Sequence, residues 1–436
     1  MRRMTIITSK KRPIGIDLFA GVGGLSLGFE QAGFDVVAAV EIDPIHAAAH
    51  SFNFPNCKTI AKSIESITGD EIRKTAGLGK EKIDVVFGGA PCQGFSLIGQ
   101  RALDDPRNRL VREFVRIVHE LRADYFVFEN VKGITVGKHL AFLNELISEF
   151  QKIGYKVKLP WQVLNAANYG APQNRERLIL MGCRRDLTLP EYPAKMFRIP
   201  GAKARFTKST NETLPLGPTC ADALDDLPDV EKYQELWESD SVKAVWSKPS
   251  SYAAVLRGIK DNRDFAYKRQ WNTKLLTSSL RTEHTSLSVS RFRKTKGGEV
   301  EPVSRFFKLP KDGVANTLRA GTDSARGAFT SPRPIHHEYP RCITVREMAR
   351  LHGYPDWFRF HKTKWHGARQ IGNSVPPPLG RAVAVQILSA SGIQPSRPKE
   401  ILELGDVTLL AFDMQTASAY FGVADPISKR KRLVKT

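Results

Sequence analysis

Cysteine is scarce and scattered: five residues among 436, Cys57, Cys92, Cys183, Cys220 and Cys342, with no CxxC pair. That spacing suggests neither a disulfide framework nor a cysteine-built zinc site, so each thiol is judged singly. Long apolar runs are missing too. No stretch approaches the length of a membrane span, and the basic start MRRMTIITSKKRP is not followed by the apolar segment of a signal peptide. A soluble, cytoplasmic protein with no membrane partner is expected. Acidic charge is outnumbered, with 45 Asp and Glu against 66 Lys and Arg and a formal charge of +21. A balance of that sign points to a polyanion such as nucleic acid, with anionic membranes and ribosomes left open by charge alone. Internal repeats and low-complexity blocks are also absent.

What is present is enough apolar material, 41% of the residues, for a substantial core, in a length that suggests two domains or one with a large insertion. From Pro13 to about Arg185, short apolar runs alternate with helical patterns. IGIDLF (14–19), FDVVAAVE (34–41), IDVVFGGA (83–90), DYFVFENV (124–131) and ERLILMGC (176–183) read as buried strands by length and by β-branched or aromatic content. LSLGFEQAG, PIHAAAHSF, LVREFVRIVHEL and HLAFLNELISEFQKIG between them carry apolar residues at helical spacing. The order predicts an α/β domain with a mostly parallel sheet.

After about Pro190 the texture changes, and no regular alternation can be followed to about Pro334. Residues 241–310 hold fifteen Lys and Arg against five Asp and Glu, so about half of the net charge lies where the fold signal is weakest. Helical patterns return at TVREMARLHG (344–353) and PLGRAVAVQILSAS (378–391) and predict helices that rejoin the first domain. The expected division is 13–188, a basic irregular region 189–334, a return over 335–392, and a C-terminal extension 393–436. The extension ends in the basic run SKRKRLVKT, read as a solvated tail, with an extra phosphate contact as the alternative.

Four motifs carry chemistry. DLFAGVGGLSLGFEQAG (17–33) is a strand, a Gly-rich turn and a helix, the context in which a backbone approaches a ligand at a helix N-terminus. It lacks the GxGxxG spacing of a dinucleotide loop, which disfavours a nicotinamide oxidoreductase; a tight structural turn is the bland alternative. Glu41 ends the next strand about 20 residues further on, where an acid can accept hydrogen bonds from ribose hydroxyls. A nucleoside cofactor without a pyrophosphate fits that pair.

GGAPCQGFS (88–96) puts Cys92 directly after a buried strand, in a turn-rich loop at the carboxyl edge of the sheet, and so argues for a nucleophile over a core thiol. Glu129 of FVFENVKG (126–133) ends the following strand on the same edge, where a carboxyl group can neutralise charge developing on an attacked ring. QNRERLILMG (173–182) carries Arg175 and Arg177 at alternate positions, hence on one face, able to fix that carboxyl and to reach a ring carbonyl oxygen.

The ordered set DLFAGVGG, PCQGFS, FENVKG, QNRER and RQIGNSVPPPLG (369–380) resembles the DNA cytosine-5 methyltransferase family, in its prokaryotic restriction-modification form. The resemblance covers 13–185 and about 335–390, and the stretch between corresponds in position to the family's target-recognition region. It implies a Rossmann-like S-adenosylmethionine-dependent methyltransferase sheet with a smaller, irregular target-recognition domain, S-adenosylhomocysteine as product, and no metal. By matching positions, Phe19, Gly21, Gly23 and Leu25 would line the methionine and adenosine part of the pocket. Glu41 would meet the ribose, Ile42 the adenine face, Pro91 and Leu110 the adenine surroundings, and Asn373 and Val375 would close the methionine end. In KSIESI (62–67), Ser63 stands where the family usually has an Asp that receives the adenine amino group. Cys92 would be the nucleophile, attacking carbon-6 of a cytosine flipped out of duplex DNA, with Glu129, Arg175 and Arg177 around the base.

The same resemblance puts Gln93 and Ser96 against the target strand. The basic 241–310 stretch would contact phosphates, and base readout is expected around 304–327, including Arg305, Arg319 and Arg326. Double-stranded DNA is the expected partner, with a cognate restriction endonuclease acting on the same site without a stable complex. A tRNA cytosine-5 methyltransferase and a catalytically silent DNA-binding regulator are the alternatives.

Overall fold

The five apolar runs form strands of one sheet, in register with each other and buried along nearly their whole length. The structure, a computed structural model, describes residues 12–91, 108–137, 139–201, 213–321 and 332–424. Its first half alternates β1 (Ile14–Leu18), α1 (Gly24–Ala32), β2 (Asp35–Val40), α2 (Pro44–Asn53), β3 (Lys58–Ile60), α3 (Gly69–Thr75), β4 (Val85–Gly88), α4 (Arg109–Leu121), β5 (Tyr125–Val131) and α5 (His139–Lys152). Three strands follow: β6 (Tyr155–Val157), β7 (Gln162–Asn165) and β8 (Glu176–Arg184).

The eight strands lie in the order β3-β2-β1-β4-β5-β8-β6, with β7 also on β8. Pairings from β3 to β5 are parallel, and those of β8 with β5, β6 and β7 are antiparallel. Strand order therefore reverses between β1 and β4, which opens a crevice at their carboxyl ends, where doubly wound sheets bind ligands.

Side-chain alternation divides the core into two layers. Val85, Phe87, Tyr125, Val127, Ile179 and Met181 face one apolar cluster, while Val86, Phe126, Phe128, Leu178 and Leu180 face the other with α3, α4 and α5. Helix α4 shows why its sequence is helical: Val111, Phe114, Val115, Ile117, Val118 and Leu121 recur at three and four residue spacing and are all buried.

Short elements make up the next region: α6 (Cys220–Leu224), β9 (Val242–Lys243), α7 (Ser251–Leu256), β10 (Lys268–Gln270), β11 (Leu275–Leu276) and α8 (Ser286–Lys294). Most of them join the main core, while Phe292 of α8 packs in a small separate cluster with Phe306, Ile335 and Cys342. Cys220, Leu224, Leu236, Leu276, Leu309 and Leu318 belong to the same apolar cluster as Phe87 and Val127. The chain then returns in α9 (Val345–His352), α10 (Lys364–Asn373) and α11 (Pro377–Ser391), and α11 packs along α1. A buried Arg350 on α9 joins the two regions, with Nη1 donating to Asp226 (2.9 Å) and Nε to Asp356 (2.6 Å).

Much of the C-terminal extension is structured. β12 (Ile401–Glu403) pairs in parallel with β10, and α12 (Met414–Phe421) packs on α2. The basic run 428–436 lies outside the described residues. No described helix is long and apolar enough to cross a membrane.

Candidate active site

Backbone geometry builds the first half of the crevice. After β1, Phe19 (φ 60°), Gly21 (φ 56°) and Gly23 (φ 99°) all take left-handed conformations, which turn the chain back on itself before α1 begins. Glycine is required at 23, where a Cβ would lie 2.3 Å from the Phe54 ring; at Gly21 a Cβ would meet nothing within 4 Å. The open side of the turn faces the end of β2. Glu41 Oε2 accepts from the Gly21 amide (2.8 Å) and Oε1 from the Asp43 amide (2.9 Å), which leaves each oxygen further acceptor capacity. Burial raises the Glu41 pKa.

Beside the buried Glu41, Ile42 is 61% exposed, an apolar side chain presented at the rim rather than packed. Leu25 is buried on α1. Ser63 is half-buried, and its hydroxyl accepts from the Glu65 amide (3.3 Å) as the cap of a short turn. Pro91 is exposed and Leu110 half-buried at the start of α4. Asn373 is exposed at the end of α10, while Val375 is buried, its carbonyl oxygen 2.3 Å from where a Cβ on Gly24 would stand. Thus the IGNSVPP segment lies directly against the Gly-rich turn. Behind that turn Asp17 is buried. Its Oδ2 accepts from Ser26 (2.6 Å), while Oδ1 has no hydrogen-bond partner among the described residues. Burial raises its pKa to about 8.

The second half of the crevice is built by β4, β5 and β8. The antiparallel register pairs Val131 with Arg177 and Glu129 with Ile179, which puts Glu129 and Arg177 diagonally on one face of the sheet. Arg177 Nε reaches Glu129 Oε1 at 2.7 Å. Burial raises the Glu129 pKa against the opposing pull of Arg177 and Arg175. Glu129 also touches the chain leaving β4, since a Cβ on Gly89 would stand 2.3 Å from its Oε2. Asn130 Nδ2 donates to the Ala90 carbonyl (3.0 Å) and pins the same segment. Cys92, Gln93 and Ser96, which follow Pro91 in sequence, lie outside the described residues, as does Arg326.

The expected arginine pair divides its work. Arg177 meets the carboxylate, whereas the fully buried Arg175, one residue before β8, donates to the carbonyls of Leu318 (3.0 Å) and Gly372 (2.8 Å). Arg175 is thus tied to two distant backbone segments, and the contact with Glu129 is made by its neighbour Arg177. Arg305 and Arg319 are both exposed and border one small groove with Asn316, Phe306 and Arg333. Sequence reasoning passed over Asn130, Gln173, His352 and Ser374, all buried beside these residues. All four stand in FVFENVKG, QNRERLILMG, TVREMARLHG and RQIGNSVPPPLG, but nothing local distinguished them. Among the described residues no group of three or more His, Cys, Asp or Glu is placed to hold a metal ion.

Residues 15–389 match the family model described as C-5 cytosine-specific DNA methylase. The chain is 61% identical over 421 residues to the type II methyltransferase M.XorII of Xanthomonas oryzae pv. oryzae, covering 96% of this chain and 95% of that one. It is 32% identical over 397 residues to the type II methyltransferase M.DdeI of Desulfomicrobium norvegicum, covering 85% and 88%. A solved structure described as a DNA modification methyltransferase encoded within an E. coli prophage superposes with a TM-score of 0.69 at 32% identity, covering 87% of this chain and 99% of that one.

Proposed function

Because the chain belongs to the C-5 cytosine-specific DNA methylase family, we propose that it methylates carbon-5 of a cytosine within a specific double-stranded DNA sequence, using S-adenosylmethionine and covalent attack by Cys92. The observation that supports this most is the buried Glu129–Arg177 pair at 2.7 Å, in contact with the segment that leads from β4 to Cys92. A restriction-modification setting, with an endonuclease that cuts the same sequence, belongs to the same reading.

The residues present fit the cofactor. The turn holding Phe19, Gly21, Gly23 and Leu25 is open at Gly21, Glu41 keeps acceptor capacity for ribose hydroxyls, Ile42 offers an apolar face for adenine, and Val375 closes the turn. When bound, S-adenosylmethionine supplies an electrophilic methyl group.

On the base side, extrusion of the cytosine from the duplex exposes carbon-6 to the thiol. As the sulfur–carbon-6 bond forms, the carbon-5–carbon-6 π pair moves toward carbon-5 and ring N3. Glu129, whose burial favours the protonated carboxyl, is suited to hold a proton at N3, and Arg177 fixes its orientation and neutralises the carboxylate that remains. After carbon-5 is alkylated it loses its proton, and the sulfur–carbon bond breaks to restore the aromatic ring and the free thiol. Arg305 and Arg319, exposed on one groove, are suited to DNA contact.

Expression in a methylation-free host, followed by a genome-wide map of 5-methylcytosine, tests the proposal. Methylation at one recurrent sequence is expected. Soluble protein with no 5-methylcytosine above background would sink it, and modification confined to tRNA would transfer the chemistry to RNA.

A further inference from the structure

One buried relay runs from the segment proposed to face DNA to the turn proposed to hold the cofactor, and its centre is a histidine that no step above uses. Residues 315–318 lie beside 172–175, tied by Ala315 N to the Pro172 carbonyl (2.9 Å) and Asn174 N to the Ala315 carbonyl (2.7 Å). Leu318 is then held at both of its backbone groups. Its amide donates to Gln173 Oε1 (3.1 Å), and its carbonyl accepts from Arg175 (3.0 Å).

Both holders continue to the same place. Arg175 donates to the Gly372 carbonyl (2.8 Å). Gln173 Nε2 donates to His352 Nδ1 (2.8 Å), and His352 Nε2 lies 3.1 Å from the Ser374 carbonyl. Beyond Ser374, the Val375 carbonyl abuts Gly24 of the cofactor turn.

The direction of every bond in this chain is determined by its ends. The Leu318 amide can only donate, so Gln173 presents its oxygen there and its NH2 to His352 and, at 3.5 Å, to the Leu351 carbonyl. Because Nδ1 accepts from that NH2, His352 carries its proton on Nε2 and is neutral, and Nε2 donates toward the Ser374 carbonyl; the Ser374 hydroxyl, also 3.1 Å from Nε2, itself donates to the Ile371 carbonyl (2.9 Å). Complete burial, then the positive charge of Arg175, hold its pKa far below the usual histidine range, in agreement with that polarity. A second contact binds the two segments directly: a Cβ on Gly372 would stand 2.3 Å from the Ala320 amide.

We propose that His352 is a positioning residue that holds the Leu318–Ala320 segment and the Gly372–Val375 segment in one register, so that cofactor and DNA bind cooperatively. This rests on the proposed function, which supplies the two ligands. The exposed Arg319 follows the clamped Leu318, so a shift at Ser374 moves a DNA-facing side chain, and DNA contact at Arg319 restrains the cofactor turn in return.

Calorimetric titration of the full chain with S-adenosylhomocysteine, alone and with a duplex carrying the mapped target sequence, tests this. Wild type is expected to bind at least about tenfold tighter with the duplex, within the usual range of coupling. His352→Leu is expected to bind S-adenosylhomocysteine alone within about threefold of wild type and to lose the enhancement. His352→Gln, which can accept from Gln173 and donate to Ser374 as the imidazole does, is expected to keep most of it, an outcome that a simple packing role does not predict. Gly372→Ala, which forces the 319–320 backbone away, is expected to lose it while leaving His352 in place. If His352→Leu does not fold, the other two variants decide. Coupling retained in Gly372→Ala or in a folded His352→Leu, absent in wild type, or lost in His352→Gln as fully as in His352→Leu, overturns the proposal. Failure of the methylation map overturns the proposed function instead, since it is read on wild type without reference to coupling.

Discussion

The buried charges beneath α9 and those at the rim of the sheet are satisfied in different ways. Under α9, Arg350 spends its donors on Asp226, Asp356 and the Ala223 carbonyl, and each of its three guanidinium nitrogens is engaged. At the rim, Glu129 meets the single guanidinium of Arg177, and Asp17 Oδ1 and Arg175 Nε have no hydrogen-bond partner among the described residues. Ion clusters closed by their own neighbours hold elements together; carboxyl groups whose acid strength is shifted by burial, beside a crevice, are suited to act on something else.

Four substitutions can break or sharpen this contrast. Cys92→Ala is expected to abolish methylation, by at least about 10³-fold, while fold and S-adenosylmethionine binding persist; normal turnover in that variant would remove the covalent mechanism. Glu129→Gln should lower kcat by roughly 10²–10⁴-fold, measured with labelled methyl donor, with a melting temperature close to wild type. Arg350→Leu reverses the pattern. Leaving Asp226 and Asp356 uncompensated should cost about 3–5 kcal/mol in urea unfolding, while methylation per folded molecule stays within about threefold.

The smallest effect is expected at Asp17, and its sign follows from burial. Folded Asp17 keeps its proton up to about pH 8, whereas the unfolded chain releases it near pH 4. Across that window the folded state holds the extra proton, so this residue's contribution to stability is greatest below about pH 4 and is lost as pH rises toward 8. Asp17→Asn should remove that loss, on the order of 3 kcal/mol between pH 5 and pH 8, read from urea midpoints. A wild-type midpoint that rises over the same range through this residue would contradict the assignment.

The strands β1, β2, β4, β5 and β8 were legible because each is an apolar run bounded by turn residues, and Glu129 could be placed at a strand end from FVFENVKG alone. β3, β6 and β7 were not, since three or four residues hold too little period to separate a strand from a loop. Helix α10 was also missed: KWHGARQIGN mixes two glycines with few apolar residues, and it is the Thr363 cap accepting from the His366 amide that marks its start. Alternation placed Arg175 and Arg177 on one face but could not say which would take Glu129, because the carbonyls that hold Arg175 lie 143 and 197 residues further along the chain.

What the chain determined by itself was local: which runs become buried strands, which glycines turn the backbone after β1, and which acids and bases stand at strand ends, since period and turn chemistry act over a few residues. What only the tertiary structure decided was which distant groups meet. The bridge from Leu318 through Gln173 and His352 to Ser374, and the pairing of β12 with β10, join segments whose sequences carry no sign of each other, because their hydrogen bonds exist only once the sheet and its helices have brought the ends together.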